Sequence, residues 1–294
     1  MDELVAVVDM LQSDAAQVFT RSLKETGFAV LQNHGIDEDR VQGIYGEWKD
    51  FLMSLHEART AAVMTPEQKS LLDAYAFSVD HQDGYFGMDV SETAKGSTMK
   101  DIKHFYQCYF PWGRYPDKVS DDARLLHAEF LALGRKLLSW IQDETTATLR
   151  YELPDIIGAE QTMLRVLHYP AYSTDDVKPG AIRAAAHEDI NLLTLLPAGT
   201  ATGLQLKLHG VWYNVPLLRG TLIVNIGDML QEATGYEYKS TTHRVIKPAD
   251  ADDSADRMSI PCFIHPKPDT YLSNRYPTAK QFLDERLREI GVRP

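Results

Sequence analysis

A mainly β fold with flanking helices and a double-sheet jelly-roll core, the architecture also called a double-stranded β-helix, is predicted by three observations. From about Gln161 to His265 the chain is a succession of short apolar runs broken by turn residues, with no helical stripe between them, as two stacked antiparallel sheets require. The part before residue 160 instead carries apolar residues at helical spacing in several long stretches. The histidines, carboxylate and arginine best suited to chemistry fall on period-two positions of the β-rich part, so they can converge inside a narrow barrel.

Taken in order, Val5 to Met10 reads as an opening strand. Ala15 to Thr26 aligns Ala15, Val18, Phe19 and Leu23 on one helical face and stops at Gly27, and Phe28 to Gln32 follows as a strand. Asp37 enters a helix running to about Ala62, with Val41, Ile44, Tyr45, Trp48, Phe51 and Leu52 as its apolar stripe. Thr65-Pro66-Glu67 signals a third helix, Thr65 capping it and Pro66 in its first turn. Tyr75 to Gly113 reads as irregular and aromatic, and Asp121 to about Thr148 as a long amphipathic helix.

In the β-rich part Thr162 to Tyr169 alternates, placing Met163, Arg165, Leu167 and Tyr169 on one face. Ile190 to Leu196 and Tyr238 to Lys247, each halted by a proline, are strands. Leu204 to Leu208, the turn His209-Gly210 and Val211 to Val215 form a hairpin, and Thr221 to Ile226 is a further strand. Arg257 to His265 alternates cleanly: Arg257, Ser259, Phe263 and His265 share one face, and Met258, Ile260, Cys262 and Ile264 share an apolar one.

Composition fits a globular protein. Of 294 residues 44% are hydrophobic and 24% charged, enough to bury a sizeable core. The net charge of −12, from 42 acidic against 30 basic residues, and the lack of any basic run argue against nucleic acid or an anionic membrane surface as partner. Cys108 and Cys262 are far apart and lack metal or redox spacing, so a reducing compartment is expected. Met1-Asp2-Glu3-Leu4 carries neither a basic n-region nor a long apolar stretch, and a cytoplasmic protein is expected.

Residues i and i+2 of extended chain share a face, whereas on a helix they diverge by roughly 200°. His187 and Asp189 can therefore chelate one ion if extended, with the distant His243 as a third ligand. Two imidazoles and one carboxylate leave coordination positions open, which suits redox-active non-haem Fe(II) and dioxygen, whereas a structural zinc site wants four closed ligands. Arg257 and Ser259 together offer a guanidinium fork and a hydroxyl, the donors that a fixed carboxylate asks for.

His187-x-Asp189, His243-Arg244-Val245 and Arg257-x-Ser259 together resemble the Fe(II)/2-oxoglutarate dioxygenases, in their isopenicillin N synthase-like branch. Leu167-His168-Tyr169-Pro170, Gly203-Leu204-Gln205-Leu206, Trp212 and Asn225-Ile226-Gly227-Asp228 fall in that family's order, and Gly27-Phe28 to Asn33-His34-Gly35-Ile36 resembles its N-terminal signature. The resemblance implies that His187, Asp189 and His243 bind Fe(II). It implies that Arg257, Ser259 and Tyr169 hold the far carboxylate of 2-oxoglutarate, and that O2 is consumed. Hydroxylation of a small molecule, with release of succinate and carbon dioxide, is the expected reaction, and desaturation or ring closure is open to the same chemistry. One compact catalytic unit is expected: an N-terminal region over 1–115, a framing helix in 116–160, the jelly-roll core over 161–270 and a helical tail over 271–294.

Substrate contacts are expected from Arg165 and Arg183, which would suit a carboxylate-bearing small molecule, and from Tyr85, Phe86 and Phe263. Packing or rim ion pairs would explain the same residues. His168 departs from the asparagine common before the family's tyrosine. His34, His56, His81, His127 and His209 have no partner at ligand spacing and read as surface or core histidines. Three other readings stay open: an Fe(II) oxidase of the isopenicillin N synthase type that uses the Arg-x-Ser pair on its own substrate, a non-catalytic jelly-roll protein binding a small acid, and zinc-dependent hydrolysis. The last would leave the Arg257 clamp without a purpose. Oligomeric state is not readable from the sequence.

Overall fold

Phe28, Ala29, Val30 and Leu31 are all fully buried, yet they serve two different cores. Phe28 and Val30 point into the barrel, and Ala29 and Leu31 pack against the helices. A strand apolar on both faces must be covered on both sides, and that is the plan of the molecule. The computed structural model of the chain describes residues 4–78, 82–89, 101–172, 182–248, 252 and 255–289.

The strands are β1 (Val7–Asp9), β2 (Phe28–Gln32), β3 (Gly84–Phe86), β4 (His104–Tyr109), β5 (Met163–Tyr169), β6 (Ala184–His187), β7 (Leu193–Pro197), β8 (Leu204–Leu208), β9 (Val211–Asn214), β10 (Leu222–Ile226), β11 (His243–Val245), β12 (Arg257–Ser259) and β13 (Cys262–Ile264). The helices are α1 (Ala15–Thr26), α2 (Glu38–Thr60), α3 (Pro66–Tyr75), α4 (Asp122–Glu144), α5 (Asp228–Ala233) and α6 (Ala279–Glu289). A large sheet runs β1-β2-β10-β7-β13-β5-β4-β3, with β12 also on β5, and faces a smaller sheet β6-β11-β8-β9. The two sheets form the jelly roll. The interior between them is lined by Phe28, Val30, Phe105, Leu167, Tyr169, Leu196, Leu206 and Val245.

Helices cover the outer face of the large sheet, where Met258, Ile260, Cys262 and Ile264 join Trp48, Phe130 and Leu137 in one core. Local chemistry sets the element ends. Asp37 accepts the backbone N–H groups of Asp39 and Arg40 at the start of α2, and Thr65 with Gln68 forms a reciprocal capping box on α3. The hairpin β8–β9 turns through His209 and Gly210, both at positive φ, as a two-residue hairpin turn demands. No helix among the described residues is long and apolar enough to cross a membrane.

Five expectations need correction. The stretch from Tyr75 to Gly113 is not irregular throughout, because β3 and β4 extend the large sheet beyond β5. Residues 104–108 are buried on both faces, between barrel and helices, so the alternation that betrays a half-exposed strand is missing. A helix, α5, interrupts the strands after Gly227. The strand around His243 is only three residues long, and Pro261 divides the expected Arg257–His265 strand into β12 and β13. Finally, β6 ends at His187, so Asp189 lies just beyond the strand.

Glu237 ties α1 to the end of α4. Its carboxylate meets Lys24 at 2.7 Å and accepts from the Thr145 hydroxyl and the Thr146 and Ala147 N–H groups. Burial would raise its pKa, but Lys24 and the threonine donors outweigh that and hold it at about 2. A depressed carboxyl stabilises the fold above its unfolded value and loses that contribution as pH falls towards the folded one. Urea melts of Glu237→Gln are therefore expected to show about 1–3 kcal/mol lower stability at pH 7. The difference from wild type should shrink as pH drops from about 4.5 towards 2.

Candidate active site

The register of the small sheet makes the site. β11 pairs with β6 so that His243 lies directly opposite His187, and their rings are 4.4 Å apart between centroids. Asp189, two residues past His187, turns back so that its Oδ1 lies 3.8 Å from His187 Nε2 and 3.7 Å from His243 Nε2. These separations are too long for hydrogen bonds and short enough for one cation to bridge. The three ligand atoms lie within 4.8 Å of one another, the one such metal-competent group among the described residues.

Each ligand is oriented from behind. Nδ1 of His187 donates to the Ala185 carbonyl at 2.7 Å, and Nδ1 of His243 to the Thr241 carbonyl at 3.0 Å. A carbonyl only accepts, so both rings carry their proton on Nδ1 and present the Nε2 lone pair to the interior. Oδ2 of Asp189 accepts from Thr194 Oγ1 at 2.5 Å and from Asn225 Nδ2 at 2.8 Å, which leaves Oδ1 for the ion. The backbone here is clamped to the start of α5: Asp228 N donates to Asp189 O, and Gly227 N to Leu192 O. Gly227 allows this approach, since a Cβ there would sit 2.2 Å from Asn191 O.

Electrostatics readies the same set for a cation. Burial, with the neighbouring His243, lowers His187 to about 4, although 40% of its side chain remains exposed at the mouth of the interior. Burial would raise Asp189, but the two imidazoles and the Thr194 and Asn225 donors hold it below the ordinary carboxylate range. Near neutral pH the site therefore offers a neutral His187 imidazole and a carboxylate charge.

The clamp lies further along the interior. Arg257 faces Tyr169 across the β12–β5 ladder, with its guanidinium 5.1 Å from the Tyr169 ring, and Ser259 follows on the same face opposite Leu167. Arg257 is 2% exposed and donates through Nε to the Ala201 carbonyl, while its Nη1 is buried without a partner. A buried cationic donor left unsatisfied is costly unless a ligand completes it, and an anionic carboxylate fits that need.

Towards the metal end, Phe263 pairs in register with Thr194. The Arg165 guanidinium lies 4.4 Å from the Phe105 ring and 5.4 Å from the Phe263 ring, and donates to Gln107. Phe86 stacks on Phe105 at 4.5 Å. Tyr85 is not brought to this pocket: adjacent strand residues face opposite ways, and Tyr85 packs with the helix-side core, its hydroxyl on His104 at 3.0 Å. Arg183 donates to the Ala255 carbonyl, and the charges of Arg257 and Asp256 act on it. His168 points to the helix side, between His104 and Asp256, so the pocket-facing neighbour of Tyr169 along β5 is Leu167. Glu188 turns away onto Thr242, and His81 lies outside the described residues.

Sequence reasoning missed Thr194, Asn225 and His265. Thr194 and Asn225 lie opposite each other on β7 and β10, an adjacency that linear sequence does not carry. His265 repeats the ligand histidines' device, its Nδ1 on the carbonyl two residues back; the alternation put it on the face of Arg257 and Phe263 without giving it a role. Because metal-site carboxylates depend on such orienting partners, Thr194→Val is expected to weaken metal binding by about 10–100-fold. Competition with a chelating dye would measure this, and an unchanged affinity would remove Thr194 from the site.

Residues 160–266 match the 2OG-Fe(II) oxygenase superfamily. The bi-functional coumaroyl CoA and feruloyl CoA ortho-hydroxylase of Ipomoea batatas is 31% identical over 278 residues, covering 91% of this chain and 72% of that protein. A crystal structure of an oxygenase from Shewanella oneidensis superposes with a TM-score of 0.81 at 41% identity, over 98% of this chain and 99% of that one. A 2OG-Fe(II) oxygenase family protein of Caulobacter crescentus gives 0.72 at 29% identity, over 97% and 99%. The chain belongs to the 2OG-Fe(II) oxygenase superfamily. It is an Fe(II)- and 2-oxoglutarate-dependent oxygenase that uses O2, and its relatives act on small molecules.

Proposed function

We propose that this oxygenase hydroxylates a small, ring-bearing acid. His187, Asp189 and His243 hold Fe(II), and Arg257, Ser259 and Tyr169 hold the far carboxylate of 2-oxoglutarate. Phe86, Phe105 and Phe263 line the substrate pocket with Arg165 and His265. Bound Fe(II) with its co-substrate supplies two-electron oxidation of a C–H bond, coupled to formation of succinate and carbon dioxide. The protein supplies placement: Thr194 and Asn225 fix the carboxylate ligand, and the aromatic walls keep water from the reacting carbon. The catalytic core on this reading is 161–270. The two buried, unpaired cysteines suit a reducing compartment such as the cytoplasm.

The observation that carries the reading is a three-ligand cluster at one end of the interior and an unsatisfied, buried Arg257 at the other. An anaerobic titration with Fe(II) and then 2-oxoglutarate tests it. A weak visible charge-transfer band that needs protein, metal and keto acid together is expected, and its absence despite stoichiometric Fe(II) binding would sink the co-substrate assignment. An acidic substrate is supported by Arg165: a guanidinium beside two aromatic rings suits a carboxylate on a planar group through both charge and stacking. Arg165→Leu is expected to raise the KM for a carboxylate-bearing substrate about tenfold or more with little change in the KM for 2-oxoglutarate. Equal effects on both would point to general damage instead.

A further inference from the structure

Arg183 stands out among the buried groups. It is 1% exposed, its Nη2 donates to the Ala255 carbonyl at 2.8 Å, and its Nε is buried without a partner. Ala255 lies two residues before Arg257, so this bond draws Arg183 towards the start of β12, where the charge of Arg257 acts on it. Burial and the charge of Arg257 both lower the pKa of Arg183, more than Tyr172, Tyr169 and Asp256 raise it.

Asp256, the carboxylate whose charge acts on Arg183, is shared with other groups. Asp256 Oδ2 binds Lys49 at 2.6 Å and His168 Nε2 at 3.0 Å. His168 belongs to a buried chain on the helix side of β5: its Nδ1 lies 2.7 Å from His104 Nε2, and His104 Nδ1 lies 3.0 Å from the Tyr85 hydroxyl. The Lys49 and His168 contacts both fall on Oδ2 of Asp256. Arg183 and Arg257 each retain a buried, unsatisfied N–H beside Tyr169.

We propose that Arg183 is a second arginine for the far carboxylate of 2-oxoglutarate, so that two guanidiniums bind one anion and Arg183 does not read the primary substrate. The proposal rests on Arg257 being the co-substrate clamp. Two buried cations held together need an anion of matching geometry, and the reward for supplying it is large, because charge-assisted bonds in a dry site are the strong ones. The interior should therefore select a keto acid with a second carboxylate over one without.

The test compares anaerobic binding of 2-oxoglutarate and of 2-oxovalerate, a keto acid with the same metal-chelating end and no far carboxylate, to the Fe(II)-loaded full chain. Wild type is expected to prefer 2-oxoglutarate strongly. Arg183→Met is expected to lose about one to two orders of magnitude in 2-oxoglutarate affinity while 2-oxovalerate affinity stays within about twofold. Arg183→Lys, which keeps the charge and guards against a misfolded Met variant, should fall between. Equal losses for both keto acids would mean that Arg183 merely supports the fold, and unchanged 2-oxoglutarate affinity would return it to the substrate side. Either result overturns the proposal. Should Arg257→Met also leave the preference intact, the clamp reading itself fails. Loss of preference in Arg257→Met alone would leave that reading standing and refute only the role of Arg183.

Discussion

Asp189→Ala is expected to reduce Fe(II) affinity by more than about 100-fold and turnover to background, the largest effect of any single substitution in this chain. Asp189 brings the negative charge to a ligand set otherwise made of imidazoles, one of which burial holds firmly in its neutral form. Orienting partners of a metal ligand are worth about 10–100-fold, so the ligand itself must be worth more. The fold should survive. Thr194 keeps a hydrogen bond from Asn191 Nδ2 at 3.0 Å when its carboxylate acceptor is removed, and Asp189's structural bond to Asp228 runs through its backbone carbonyl. A variant with an unchanged melting curve that no longer competes with a chelating dye for Fe(II) would meet the expectation. Wild-type metal affinity in that variant would show that the triad is not the metal site.

How much of this site the sequence could reveal depended on whether the information was local. The ends of α1 and the strand after it were legible because Gly27 and the apolar period are contiguous signals. His187 and Asp189 were legible as a pair because they are close in sequence, although Asp189 reaches the site by a turn past the end of β6 and not on extended chain, and His243 because its neighbourhood reads as strand. The orientation of Asp189 was not legible, since it depends on Thr194 and Asn225 meeting across β7 and β10, which only sheet assembly creates. Tyr85 and Phe86 could not be told apart without knowing that they belong to a strand buried on both faces. Once β3 is placed, the period of two sends Phe86 to the pocket and Tyr85 to the His104–His168 chain. The surroundings of Arg183 were not legible for a related reason: its spacing from His187 predicted a shared face only on an unbroken strand, and β6 begins at Ala184, with Arg183 bonded to the Ala255 carbonyl.

Arg257→Met is expected to separate function from stability in opposite directions. In the free enzyme Arg257 is a buried guanidinium with one bond to a carbonyl and an unsatisfied Nη1, which burdens the fold rather than supporting it. A methionine replaces the arginine's apolar stem and carries no charge, so the metal-free variant should melt no lower than wild type. Affinity for 2-oxoglutarate should fall about 100-fold, because a carboxylate bound by a charged fork loses about 2–4 kcal/mol with it. Fe(II) affinity should be unchanged, since the triad lies at the other end of the interior and shares no hydrogen bond with Arg257. Calorimetry of the free protein and the ferrous charge-transfer titration measure the two halves independently. A large loss of stability would make Arg257 a structural residue of β12, and full retention of 2-oxoglutarate binding would place the co-substrate's far carboxylate elsewhere in the barrel.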